Sequence, residues 1–168
     1  MRIADILRGK GSSVATVTET TTVTALLVEL EARNIGAMVV IGTGGQERSD
    51  SGNVGGGQER SDSGNVGTGG VVGIVSERDV VRKLREHGPD LLSRPVADIM
   101  SVDVVTCRPE DPVDGLAVLM TNMRVRHVPV LDNGRLAGIV SIGDVVKIRM
   151  EELQAERQQL QAYITQGG

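Results

Sequence analysis

The sequence predicts two diverged copies of a strand–helix–strand–strand–helix unit, followed by a helical extension. Three observations carry that prediction. Motifs near the start of the chain recur near its middle in the same order, apolar residues at helical spacing run between them, and one glycine-rich loop holds most of the difference between the copies. Such self-similarity is the mark of a duplicated structural unit.

Each copy opens on a lead-in, Ala4-Asp5-Ile6-Leu7 in the first and Ala97-Asp98-Ile99-Met100 in the second. A first strand follows, with Ala15-Thr16-Val17 matching Val105-Thr106-Cys107. Val23, Leu26, Leu27 and Leu30 then step as i, i+3, i+4, i+7, the signature of an amphipathic helix, and Val113, Leu116, Ala117 and Met120 repeat it. The middle strands are Ala37–Ile41 and His127–Leu131. Finally Gly73-Ile74-Val75-Ser76-Glu77-Arg78-Asp79 matches Gly138-Ile139-Val140-Ser141-Ile142-Gly143-Asp144, where a strand passes into the second helix. The first unit is expected over 1–86, a linker over 87–95 and the second unit over 96–150, with the extension over 151–168.

Between Ile41 and Gly73 lie 31 residues, whereas six (DNGRLA) separate Leu131 from Gly138. Those six begin Asp132-Asn133-Gly134, a hairpin signal. The extra length at 42–70 contains GGQERSDSGNVG twice, at 44–55 and 56–67, and holds 11 of the chain's 22 glycines. Without hydrophobic periodicity it reads as a flexible insertion at a hairpin tip. Calcium-binding glycine–aspartate repeats have a nine-residue period, which this twelve-residue repeat lacks.

After Asp144 the last helix is expected to continue. Met150, Leu153, Arg157, Leu160 and Ile164 step by 3, 4, 3 and 4, a heptad seam with one charged interruption. Two heptads fall short of a coiled coil. The seam packs either on its own domain or on a second subunit. A second subunit is preferred, because an isolated amphipathic helix is marginal without a partner.

Composition removes several function classes. A length of 168 residues is short of the roughly 250 of a barrel enzyme. Tyr163 is the only aromatic residue, which excludes the stacking platforms that bind single-stranded nucleic acid. A net charge of −4 argues against a general polyanion binder. One cysteine, Cys107, permits no internal disulfide. No apolar run approaches the roughly 18 residues of a spanning helix, and the N-terminus lacks the apolar stretch of a signal peptide, so a cytoplasmic protein without membrane partners is expected.

The chemistry concentrates in the duplicated Gly-x-x-Ser-x-x-Asp. Ser76 with Asp79, and Ser141 with Asp144, first read as capping boxes at helix starts. A cap is compatible with a ligand site. The preceding glycine allows close backbone approach, free amides at a helix N-terminus favour phosphate, and an aspartate accepts bonds from ribose hydroxyls. Basic residues lie nearby: Arg78, Arg82 and Lys83 in the first copy, Arg124 and Arg126 beside His127 in the second. Alternation along a strand sends Arg126 and His127 to opposite faces, so at most one contacts a given ligand. No carboxylate pair or Cys/His grouping has the spacing of catalytic or metal work, and Cys107, aligned with Val17, reads as a core residue.

These paired units resemble tandem CBS domains, named for cystathionine β-synthase. The resemblance rests on Gly73–Asp79, Gly138–Asp144, the run Val125-Arg126-His127-Val128-Pro129-Val130 and the lead-in Val96–Met100, and covers about residues 1–150 outside the insertion. The whole chain is similar to stand-alone bacterial CBS-pair proteins. The resemblance implies an α+β fold in which two units pack with pseudo-twofold symmetry. It also implies clefts between them that bind AMP, ADP, ATP, NAD or S-adenosylmethionine. By the family pattern Asp79 and Asp144 hold the ribose, and Ser76 and Ser141 lie near phosphate. Thr16, Ala37 and Met38, or Thr106, His127 and Pro129, flank the base, and Arg78 and Arg126 are phosphate partners. Gly36-Ala37-Met38-Val39 stands where the second unit has Arg126-His127-Val128-Pro129, so the two sites are chemically unequal.

The resulting expectation is a non-catalytic, homodimeric regulatory sensor of adenosyl ligands that signals to a partner protein and requires no cofactor. The alternative is a dimeric scaffold that has lost ligand binding. Nucleotide hydrolysis is a distant third, for want of a Gly-Lys-Ser/Thr phosphate loop or a metal cluster. Deleting one twelve-residue repeat should leave melting temperature and ligand affinity nearly unchanged, because closure entropy depends only weakly on loop length. A large fall in melting temperature would show that the loop is packed.

Overall fold

The computed structural model describes residues 1–11, 13–43 and 70–166; the duplicated segment at 44–67 lies outside the described residues. The chain divides into two compact units, one of Ser13–Val104 and one of Met1–Ser12 with Val105–Gly168.

In the Ser13–Val104 unit, β1 (Thr16–Thr18) runs parallel to β2 (Ala37–Ile41), and β2 pairs antiparallel with β3 (Val71–Ser76). The helix α2 (Val23–Arg33) starts where the Thr22 side chain accepts a bond from the Ala25 amide at 3.2 Å. Its apolar spacing buries Val23, Leu26 and Leu30 against Val17, Met38, Val40 and Val75. The segment expected as a linker is packed. After α3 (Glu77–His87) it forms a 3-10 turn, Gly88–Ser93, that buries Leu91 completely. The Val23 amide donates to the Arg94 carbonyl at 2.9 Å and the Val96 amide to the Thr21 carbonyl at 2.7 Å, closing the segment onto α2.

In the other unit α4 (Val113–Met123) buries Val113, Leu116 and Met120 as its spacing predicts. A hairpin of β4 (His127–Asp132) and β5 (Arg135–Ser141) follows. Its tip carries Asn133 at φ 48° and Gly134 at φ 78°, the positive pair that a two-residue hairpin turn needs. The strand expected at 105–107 is reduced to one parallel bridge between Cys107 and Val130. Just after the bridge the Arg108 amide turns to the Asp111 carboxylate at 2.8 Å, as the Thr18 amide turns to Thr21 Oγ1 at 3.2 Å in the first copy. The last helix, α5 (Ile142–Gln166), continues past Asp144 as expected. Val145 and Ile148 are buried, but Met150, Leu153, Leu160 and Ile164 are exposed.

The compact units are cut differently from the sequence copies. The first lead-in forms α1 (Ile3–Lys10), whose Ile3 and Ala4 amides donate to the Asp111 and Pro109 carbonyls at 3.0 and 2.9 Å. Leu7 lies so close over Gly138 that any β-carbon there would collide with it. The second lead-in, a 3-10 turn at Val96–Asp98, lies on the first copy instead. Ser101 bridges to Ile74, and Met100 fills the space that a side chain at Gly73 would need. Each lead-in therefore completes the core of the other copy.

Replacing Leu91 with alanine should destabilise the protein by about 2–5 kcal/mol in chemical denaturation, the range for a buried leucine. A change below about 0.5 kcal/mol, the range of surface positions, would return the segment to linker status.

Candidate functional site

Both Ser–Asp pairs form the caps that their spacing predicts. At the start of α3 the Ser76 amide and hydroxyl reach Asp79 Oδ2 at 2.8 and 2.6 Å. At the start of α5 the Ser141 amide and hydroxyl reach Asp144 Oδ2 at 2.7 and 2.8 Å, and the Asp144 amide returns a bond to Ser141 Oγ at 3.2 Å. In both, the cap engages Oδ2, and Oδ1 lies outside it. The carboxylates are half-buried, so they are held in place yet still accessible.

Strand register brings further predicted residues to each cap. Ala37 pairs with Ser76, and the Glu77 amide donates to the Gly36 carbonyl at 3.2 Å. In the other unit His127 pairs with Ser141, and the Ile142 amide donates to the Arg126 carbonyl at 2.9 Å. Arg126 is exposed at the edge of its cap, and Arg78 is exposed on the first turn of α3. Thr16 lies across from Val39 on β1, and Thr106 precedes the Cys107 bridge. Met38 is 1% exposed and packed with Val40 in the core, and Ala37 and Val39, on the other face of β2, are buried as well, at 5% and 0%. Pro129 is buried, and its carbonyl accepts from the Cys107 amide at 3.1 Å.

Lys10 is the site residue that sequence reading missed. It ends α1, 134 positions from Asp144, and its Nζ donates to Asp144 Oδ2 at 2.7 Å and to the Ile139 carbonyl at 3.4 Å. No local pattern joins two residues so far apart. Among the described residues no cation pairs with Asp79, so the caps differ in charge as well as in neighbours.

Cys107 is buried, and burial, aided by the Asp111 charge, pushes its thiol up to about 12, far from the thiolate that nucleophilic work requires. Among the described residues no group of three or more His, Cys, Asp or Glu side chains could hold a metal, and no helix is long and apolar enough to cross a membrane.

Burial would raise the Asp144 carboxyl, but bonds from Lys10 and Ser141 outweigh it and hold the group below the ordinary carboxylate value. The folded state therefore binds that proton less readily than the unfolded chain. The interaction stabilises above about pH 4 and is lost as pH falls through the lowered value. Lys10→Met should lower stability at pH 7 by a few tenths to about 1 kcal/mol, as for a partly exposed pair. The deficit should vanish by about pH 2. A deficit that persists in acid would assign the effect to packing of the lysine stem.

Residues 96–151 match the CBS domain family model. A mitochondrial CBS domain-containing protein of Arabidopsis thaliana is 34% identical over 172 residues, covering 99% of this chain and 72% of that protein. A crystal structure of a CBS-domain protein from Agrobacterium tumefaciens matches with a TM-score of 0.72 at 36% identity, over 88% of this chain and 92% of that one. A CBS domain protein from Pyrobaculum aerophilum, complexed with AMP, matches with a TM-score of 0.64 at 25% identity, over 86% of this chain and 89% of that one. With the duplicated caps and the mixed helix–strand units already described, these similarities establish that the chain belongs to the CBS-domain family.

Proposed function

We propose that the protein is a non-catalytic regulatory module that binds an adenine nucleotide or related adenosyl ligand at its Ser–Asp caps. The observation that carries this reading is the double cap. Each places a fixed, half-exposed carboxylate beside a serine hydroxyl at a helix N-terminus, with one carboxylate oxygen outside the cap bonds. A carboxylate so held suits the vicinal hydroxyls of ribose, and the helix start suits phosphate. The AMP held by the Pyrobaculum relative supports adenosine as the common element.

In this reading Asp79 and Asp144 hold ribose, Ser76 and Ser141 lie near phosphate, and Arg78 and Arg126 add positive charge. Thr16, Thr106 and His127 border the base, with the buried Ala37, Met38 and Pro129 contributing through their backbone. The module acts as a homodimer. The Met150, Leu153, Leu160 and Ile164 stripe of α5, each residue at least 56% exposed, supports a helix-to-helix contact with a second copy. A partner protein reads the bound state.

Thermal unfolding against AMP, ADP, ATP, NAD and S-adenosylmethionine tests the reading. A ligand at about one hundred times its Kd should stabilise by about 2.7 kcal/mol. Asp144→Ala or Asp79→Ala should weaken binding by more than about tenfold, or ~1.4 kcal/mol. Absence of any ligand-dependent rise would leave the protein as a dimeric interaction module.

A further inference from the structure

We propose that Lys10 sets the charge preference of the Asp144 site, selecting phosphorylated adenosyl ligands over cationic ones. The inference rests on the reading of Asp144 as a ribose holder.

Lys10 does not belong to the repeated cap. Ser76 and Asp79 make the same amide and hydroxyl bonds as Ser141 and Asp144 with no cation present among the described residues. Counting five residues on from Asp5 and from Asp98 in the matched lead-ins reaches Lys10 in one copy and Asp103 in the other. The position is therefore opposite in sign between copies. Leu7 over Gly138 and Met100 over Gly73 are the equivalent anchors that put those lead-ins against β5 and β3.

The ammonium approaches Oδ2, the same oxygen that takes both Ser141 bonds, at 2.7 Å. Oδ1 is the oxygen left for a ribose hydroxyl, so a ligand docks beside Lys10 rather than in its place. A lysine stem is flexible and its ammonium is a compact point charge that can turn toward a neighbouring anion. The 5′ substituent of a ribose held on Asp144 is one sugar ring away. Attraction across about 6 Å near a protein surface is worth tenfold or more in affinity. Arg126, exposed at the edge of the same cap, adds charge of the same sign. A phosphate at the 5′ position gains from this field, and a sulfonium there is repelled.

Isothermal titration of the full chain with adenosine, AMP and S-adenosylmethionine, at one fixed ionic strength, tests the proposal. It is done in an Asp79→Ala background, so that the Asp144 site alone reports. The readout is the ratio of AMP to adenosine affinity, which general weakening of the fold would not move. Lys10→Met should lower that ratio about tenfold or more and raise the relative affinity for S-adenosylmethionine, while Lys10→Arg preserves both preferences. An unchanged ratio overturns the proposal. So does equal tightening toward all three ligands, which would make Lys10 a plug on the carboxylate. Failure of the parent reading looks different: no binding by the unsubstituted site, or binding that survives Asp144→Ala, removes the ribose role and the Lys10 proposal with it.

Discussion

Two close approaches, each of a lead-in side chain over a glycine, organise the structure. A β-carbon at Gly138 would strike Leu7, and one at Gly73 would strike the Met100 sulfur. Because neither is present, each lead-in lies flat against the last strand of the other copy, three residues before its capping serine. That approach carries more than packing. It seats α1 on β5, and the end of α1 is where Lys10 meets Asp144. A β-carbon at Gly138 would press only on the end of the Leu7 side chain, which would have to turn aside, whereas one at Gly73 would also meet the Ser101 carbonyl at 3.1 Å.

The core that these approaches close is aliphatic. Every fully buried large side chain among the described residues is Ile, Leu, Met or Val. Aliphatic cores gain from close interdigitation and have no polar handle to satisfy, consistent with the absence of buried, unpartnered side-chain polar atoms among the described residues. On the proposed reading, a base bordered by Ala37, or by His127 and Pro129, meets mostly small apolar surface and backbone, and discrimination falls to the ribose and 5′ contacts.

What was legible in the sequence was local. The i, i+3, i+4, i+7 spacing located α2 and α4, the Ser-x-x-Asp spacing located both caps, and Asn133-Gly134 located the hairpin turn, because each involves neighbours along the chain. The misses were non-local or side-specific. Leu91 sits among glycine, proline and aspartate, a composition that reads as a linker, yet hydrogen bonds to Thr21 and Val23 on either side fold it into the core. Met38 packs with Val40 in the core, a burial that its place in the repeat does not reveal. The strand at 105–107, expected from its counterpart, is a single bridge between Cys107 and Val130. Lys10 could not be found by any window, since its partner is 134 residues away.

On the proposed reading, the asymmetry between the caps has a mechanical consequence for signalling. Asp144 stands on the first turn of α5, a helix of 25 residues. At 1.5 Å per residue such a helix is about 37 Å long, so a tilt of about 5° at its start moves its far end by about 3 Å. Asp79 stands on α3, which has only 11 residues and runs directly into the packed Gly88–Ser93 turn. Equal disturbances at the two caps therefore do not produce equal displacements. Beyond Ile148 none of the described side chains of α5 is buried, though Arg149 pairs with Asp114 and Glu152 with the N-terminal amine, whereas Leu91 pins the chain just after α3. Binding still has to favour one arrangement over another for any shift to occur. On the proposed reading the Lys10–Asp144 pair is a contact that a ligand can change, at the base of the longest helix among the described residues.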